Sequence, residues 1–294
     1  MTIWEVLVPM TSTRSRTVTA LLLAPAGTFF FFLLILPLAV VVIYSFGARA
    51  AEGGYAPAFT FDNYLNIPAR GKAFFNTLTL APFGTLLTAL FAYPMAYFLA
   101  VKVRPKWRVT LLVLVMAPFW TSQLLRYYAW IMILGAKGIP SWLEAMGLTD
   151  FRIINTPWAV LIGAVYGFLP LMVPPIYVSL EKLDKRLLEA SADLGADPWR
   201  TFLQVTLPLS LPGIATGSML VFILLMGDYI LPQFLGGGKV FFIGNALVDL
   251  FLQSRNWPFG AAVSMSLVII MFVTIVVYMR FLLGRSGQQR VRLV

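Results

Sequence analysis

Two ionisable side chains, Asp228 and Arg126, sit well inside long apolar stretches of this 294-residue chain. A charge in hydrocarbon is costly, so such residues are functional candidates by default, and each requires a partner or water. Trp120, Thr121, Ser122, Gln123, Tyr127, Tyr128 and Trp130 flank Arg126, while Tyr229, Pro232 and Gln233 follow Asp228. A carboxylate among aromatic faces suits an alkylammonium group, held by ion pairing and cation–π attraction. The competing reading is an interfacial belt of tyrosine and tryptophan, with Arg126 snorkelling towards the headgroups. The candidate pathway residues are Asp228, Tyr229, Arg126, Tyr128 and Trp120.

A second cluster is polar and local. Ser179 to Ile214 reads SLEKLDKRLLEASADLGADPWRTFLQVTLPLSLPGI, a charged, helix-forming island. Asp184 is an N-cap, and Leu183, Leu187, Ala190 and Leu194 follow at helical spacing on one face. Gly195 at C′ ends that helix. Asp197 caps a second short helix with Pro198 at its first position, and Leu207-Pro208 is expected to break it. Two short helices with small and aromatic residues between apolar stretches suit docking into another protein. The plainer alternative is a surface helix that caps a bundle.

The elements that must carry these residues follow from composition. The chain is 60% hydrophobic and 12% charged, with mean hydropathy +0.84, which places it among membrane proteins. Six apolar spans are expected at about 18–45, 75–101, 109–135, 157–180, 213–235 and 260–283, each long enough to cross roughly 30 Å of hydrocarbon. The loop 181–212 lies between the fourth and fifth, and residues 1–294 read as one transmembrane domain. The first span follows Arg14 and Arg16 and reads as an uncleaved anchor. With the N-terminus inside, fourteen Lys and Arg fall in inner segments and seven in outer ones, Arg126 completing the 22. That bias predicts both termini, and Glu189, on the cytoplasmic side. At 1.5 Å per residue, Asp228 and Arg126 lie roughly 22 and 25 Å from the inner face. Pro82, Pro94, Pro170, Pro174, Pro175, Gly227 and Pro232 are expected to break spans, as ordinary kinks or as the discontinuous helices of transporters. Gly163 and Gly167 form a GxxxG that reads as a close-packing seam.

Glu189-Ala190-Ser191, Gly195 and Val205-x-Leu207-Pro208 resemble the EAA loop of ABC importer permeases, EAA-x3-G-x9-I-x-LP, with Ser191 for alanine and Val205 for isoleucine. FTFDNYLNI at 59–67, FWTSQLLRYYAWIMIL at 119–134, YGFLPLMVPPIYVSLEKLDKRLLEASADLGA at 166–196 and GDYILPQFLGGGK at 227–239 are similar to the B-type permease subunit of the spermidine/putrescine transport family. The resemblance implies an all-α type I permease fold of six transmembrane helices in a bacterial inner membrane. It makes the loop a cytoplasmic coupling helix, with Glu189, Ala190, Ser191, Asp193, Gly195 and Pro208 as coupling residues. The implied partners are a second, C-type permease, two copies of a cytoplasmic ATPase that binds the ATP, and a periplasmic substrate-binding protein.

Several function classes drop out. The chain lacks a GxxxxGK[ST] phosphate cradle, and Gly236-Gly237-Gly238-Lys239 has the wrong spacing, so no cofactor is expected on this subunit. Without His or Cys it offers no Ser-His-Asp triad and no thiolate or imidazole metal site. The net charge of +10 lies in short loops between spans, which suits lipid headgroups and topology rather than nucleic acid. The expected function is a permease subunit for a small cationic solute. The alternatives are the same fold serving an opine, an amino-acid derivative, thiamine or ferric iron, or a stand-alone secondary carrier, for which Asp228 supplies only one coupling carboxylate.

Overall fold

The computed structural model describes residues 13–147 and 152–291; the chain ends beyond them, Arg292 included, lie outside the described residues. Five helices among these residues are long and apolar enough to cross a membrane, and a bent pair makes a sixth span. In chain order they are α1 (Leu21–Ser45), α2 (Ile67–Lys102), the pair α3 (Pro105–Trp120) and α4 (Gln123–Ala145), α5 (Pro157–Glu181), α7 (Pro198–Gly227) and α10 (Trp257–Val291). Short helices join them, among them Asp62–Leu65 before α2, α6 (Lys185–Asp193), α8 (Ile230–Leu235) and α9 (Ile243–Gln253). A two-stranded antiparallel hairpin, Ala48–Arg49 with Tyr55–Ala56, follows α1.

The core is the packing of α2, α5 and α7. Small residues let the backbones approach, as they must where lipid supplies no hydrophobic drive between helices. A Cβ on Gly213 would lie 2.5 Å from the Pro175 carbonyl oxygen, and one on Gly217 would lie 2.7 Å from Met172 Sδ. Gly213 and Gly217 thus form the α5–α7 seam, a second GxxxG that the reading above passes over. Gly163 does set close packing, against α8: an added Cβ would meet Leu231 Cδ1 at 2.7 Å and would overlap Leu235 Cδ1. Buried hydroxyls are satisfied within their own helix, Thr77, Thr85 and Thr88 donating to carbonyl oxygens of Ala73, Ala81 and Gly84 at 2.9, 2.8 and 2.7 Å. By contrast, the most apolar part of α1 is not buried against any of the described residues.

Three expectations need correction. Pro82 and Pro94 lie inside continuous α2, and Pro170, Pro174 and Pro175 inside continuous α5. Nor does Leu207-Pro208 end a helix. α7 runs from Pro198 through a π turn at Phe202–Thr206, where the Leu207 N–H reaches the Phe202 carbonyl oxygen. That wider turn accommodates the missing Pro208 N–H and its ring, which would clash in a regular ladder. The span expected at 109–135 is not straight. A 3₁₀ turn at Ala117–Trp120 and extended Thr121 turn the chain by 86° between α3 and α4. The depth of Arg126 from uninterrupted helical rise therefore does not hold.

Candidate functional site

The loop between α5 and α7 is built as its residue types dictate. Asp184 Oδ1 accepts from the Arg186 N–H at 3.0 Å, and Asp197 Oδ1 accepts from the N–H groups of Trp199 and Arg200, each at 2.9 Å. Gly195, at φ +79°, closes α6 in a Schellman turn: its N–H reaches the Ala192 oxygen at 2.9 Å, and that of Ala196 reaches the Ser191 oxygen at 3.1 Å. Ser191 Oγ and Thr201 Oγ1, 2.9 Å apart, join α6 to the start of α7. Trp199 stacks on Phe202 at 5.6 Å, and Phe202 meets Tyr93 edge-on at 5.7 Å, anchoring the loop to α2. Pro208 follows the π turn, so it belongs to α7 rather than to the loop.

Among the described residues, nothing covers the apolar face that this loop and the start of α7 present. Leu194 is 89% exposed and Trp199 67%, and Leu187, Ala190 and Leu203 are exposed beside them. A helix that merely capped its own bundle would turn these inward. Glu189 and Asp193 are also exposed, and Glu189 lines a cleft of about 300 Å³ shared with Arg108 and Glu181. Arg108 Nη1 lies 3.8 Å from Glu181 Oε1, which accepts from the Tyr177 hydroxyl at 2.6 Å.

Asp228 sits in a helix break. It ends α7 with extended backbone (ψ 132°), and its Oδ1 accepts from the N–H groups of Ile230 and Leu231 at 2.9 and 3.2 Å. Among the described residues its Oδ2 is buried with no hydrogen-bond partner, as are Arg126 Nε and Nη1. Tyr127, 1% exposed, accepts from the Gln123 Nε2–H at 2.8 Å and lies within electrostatic range of both Arg126 and Asp228. Among the described residues Arg126 and Asp228 form no direct ion pair. Tyr128 packs edge-on against Phe234 of α8 at 5.2 Å and is otherwise exposed. Trp120 lies at the α3–α4 bend, 70% exposed, and Tyr229 is 45% exposed. Trp120 is thus exposed rather than buried with Asp228.

Beyond Asp228 the structure adds a site that the sequence reading missed. Tyr229, Gln233, Gly238, Phe241, Asn245, Val248, Asp249 and Gln253 line a polar cavity of about 560 Å³ between α8 and α9. Its signal was the four-residue spacing of Asn245, Asp249 and Gln253, a polar stripe on an otherwise apolar short helix.

Packing makes α8 the support of Asp228, and Gly163 is its test. Gly163→Leu is expected to destabilise the chain by about 1–3 kcal/mol through overpacking and to displace α8. A lowered unfolding midpoint in detergent checks this; an unchanged midpoint would contradict it.

Residues 92–286, which take in the loop, the Asp228 break and the cavity, match the family model of the binding-protein-dependent transport system inner membrane component. The spermidine/putrescine transport system permease protein PotB of Haemophilus influenzae is 43% identical over 249 residues, 83% of this chain and 87% of that protein. PotB of Escherichia coli K12 is 41% identical over 83% of this chain and 90% of its own length. The inner membrane ABC transporter permease protein YdcU of the same organism is 36% identical over 73% of this chain and 71% of its own length. In fold, a chain of a bacterial ABC transporter that imports the polysaccharide alginate superposes with TM-score 0.69 at 17% identity, over 92% of this chain and 96% of that one. The alginate transporter bound to a pentasaccharide-loaded periplasmic protein gives 0.70 at 18% identity, over 90% and 93%. The stand-alone carrier is thereby set aside. With a type I permease fold, an inner-membrane family model and PotB relatives above 40% identity, the chain belongs to the inner-membrane permease subunits of binding-protein-dependent ABC importers, in the spermidine/putrescine permease family.

Proposed function

We propose that this permease subunit passes a small polyamine, spermidine or putrescine, inward as one half of a translocation pathway. A second, C-type permease completes the pathway, two copies of an ATPase bind and hydrolyse the ATP at the cytoplasmic face, and a periplasmic binding protein delivers the solute. Both termini and the α6 loop lie in the cytoplasm on this reading, in keeping with the basic residues of the inner segments. The observation that carries it is the exposed apolar face of Leu187, Ala190, Leu194, Trp199 and Leu203, displayed by a loop whose own fold is fully capped. The names of the PotB relatives support the solute class. The buried, unpartnered Oδ2 of Asp228 supports a cation.

A second reading rests on Arg126. Its buried Nε and Nη1, unpartnered among the described residues, together with Asp228 Oδ2 favour a solute bearing both charges, such as an amino-acid derivative. One experiment decides. The tagged protein is purified from native membranes, its partners are identified by mass spectrometry, and ATPase activity is measured with loaded binding protein. The expected result is co-purification of a second permease and an ATPase, with hydrolysis stimulated by spermidine or putrescine. Stimulation by a zwitterion alone would replace the solute, and a lone protein without an ATPase would overturn the assembly.

A further inference from the structure

We propose that the cavity between α8 and α9 is a second solute station, in which Asp249 exchanges an internal cation, Arg70, for a primary ammonium group of the solute. This rests on the cationic-solute reading above. Tyr229 and Gln233, four residues apart, face a stripe of Asn245, Asp249 and Gln253 at the same spacing, while Ile243, Ala246 and Leu250 turn to the core. Asn245, 5% exposed, holds the two walls together. Its Nδ2 donates to the Tyr229 carbonyl oxygen at 2.9 Å and to Gln233 Oε1 at 3.2 Å, and its Oδ1 accepts from the Phe242 N–H at 3.1 Å. Asn245 and Gln233 Oε1 are thereby joined in the frame, which leaves Asp249, Gln253 and the Tyr229 ring to meet a ligand. No lining residue is basic.

Arg70, at the start of α2, enters from outside that lining. Its Nη2 lies 2.7 Å from Asp249 Oδ2, and each side chain keeps more than a quarter of its surface exposed. The pair is partly open to solvent, so an ammonium group of the solute can reach Asp249 and compete with the guanidinium for its carboxylate. A carboxylate, amide oxygens and an aromatic face are what an alkylammonium group binds, by ion pairing, hydrogen bonding and cation–π attraction. Asp249 also begins a π turn, Asp249–Gln253, in which Ser254 bonds back to the Asp249 carbonyl oxygen at 2.8 Å. Such widened turns are frequent at functional sites because they re-aim side chains. The guanidinium thus holds the carboxylate oxygen that the solute takes, and returns to it when the solute moves on.

The test uses the complete complex in proteoliposomes with ATP and its loaded binding protein, reading labelled putrescine and spermidine uptake per assembled complex. Asp249→Asn is expected to lower uptake at least tenfold, and Arg70→Gln to raise it, because the internal competitor is gone. The exchanged pair Arg70→Asp with Asp249→Arg restores the ion pair but puts a cation on α9, so uptake is expected to stay at least tenfold down. An ion pair with a purely structural role predicts the opposite: both single variants lose uptake together and the exchange restores it. Either that pattern or wild-type uptake in Asp249→Asn overturns the station while leaving the polyamine reading intact. Wild-type complex that takes up no polyamine overturns both.

Discussion

Leu194→Asp is expected to abolish solute-driven ATP hydrolysis while leaving the permease folded. Leu194 is 89% exposed and α6 is closed by backbone bonds at Gly195 and Ala196, so the substitution costs the isolated chain little. If the loop docks on the ATPase as proposed, the same position carries a buried charge against the partner. Central apolar anchors of interfaces are worth about 2 kcal/mol or more, and about 1.4 kcal/mol is tenfold. Association with the ATPase is therefore expected to weaken at least about tenfold. Trp199→Asp, on the neighbouring exposed ring, is expected to act alike. Gly195→Asp is the backbone version: φ is +79° and an added Cβ meets no atom within 4 Å. A side chain there costs roughly 1–2 kcal/mol of strain, so a milder loss follows from the turn itself. Co-purification and stimulated ATPase rate check all three. A Leu194→Asp complex that assembles and responds like wild type would remove the docking face.

How much of this was legible in the residues depends on how local the cause is. The caps at Asp184 and Asp197 and the stop at Gly195 were readable because each needs only a side chain and two or three neighbouring backbone groups. The span count was readable from hydropathy because hydrocarbon thickness sets a length. Helix breaks were not, because a proline decides little alone. Pro170, Pro174 and Pro175 stay within one helix, whereas the 86° turn follows Pro118, where neighbouring Thr121 and Ser122 go extended. The Asp228 break was anticipated through Gly227 and Pro232, but the capping use of Oδ1 was not. The cavity around Asp249 escaped notice because its walls come from two short helices whose facing is set by Asn245, a tertiary contact.

Asp228 joins two roles that one pair of substitutions separates. Oδ1 holds the first N–H groups of α8, and Oδ2 is buried, without a partner among the described residues, within electrostatic range of Tyr127. Asp228→Asn keeps an oxygen to accept from Ile230 and Leu231 and removes only the charge. Asp228→Ala removes both, adding the roughly 1 kcal/mol that a lost cap costs. If the carboxylate meets a cationic solute, Asp228→Asn alone is expected to lower maximal polyamine uptake at least tenfold, with the complex assembled. Losing a charge-assisted contact in a buried site is worth about 1.5–3 kcal/mol, and the alanine variant can only add a stability loss to that. If the carboxylate is a cap and nothing more, asparagine transports like wild type and alanine alone falls. Arg126→Gln sharpens the comparison. With a polyamine, a cation near the pathway repels the solute, so its removal is expected to leave uptake equal or faster; with a zwitterion, uptake falls along with that of Asp228→Asn. Uptake rates of these three variants, per assembled complex, therefore separate cap from pathway and cation from zwitterion. Wild-type transport by Asp228→Asn would move the solute path away from this helix break altogether.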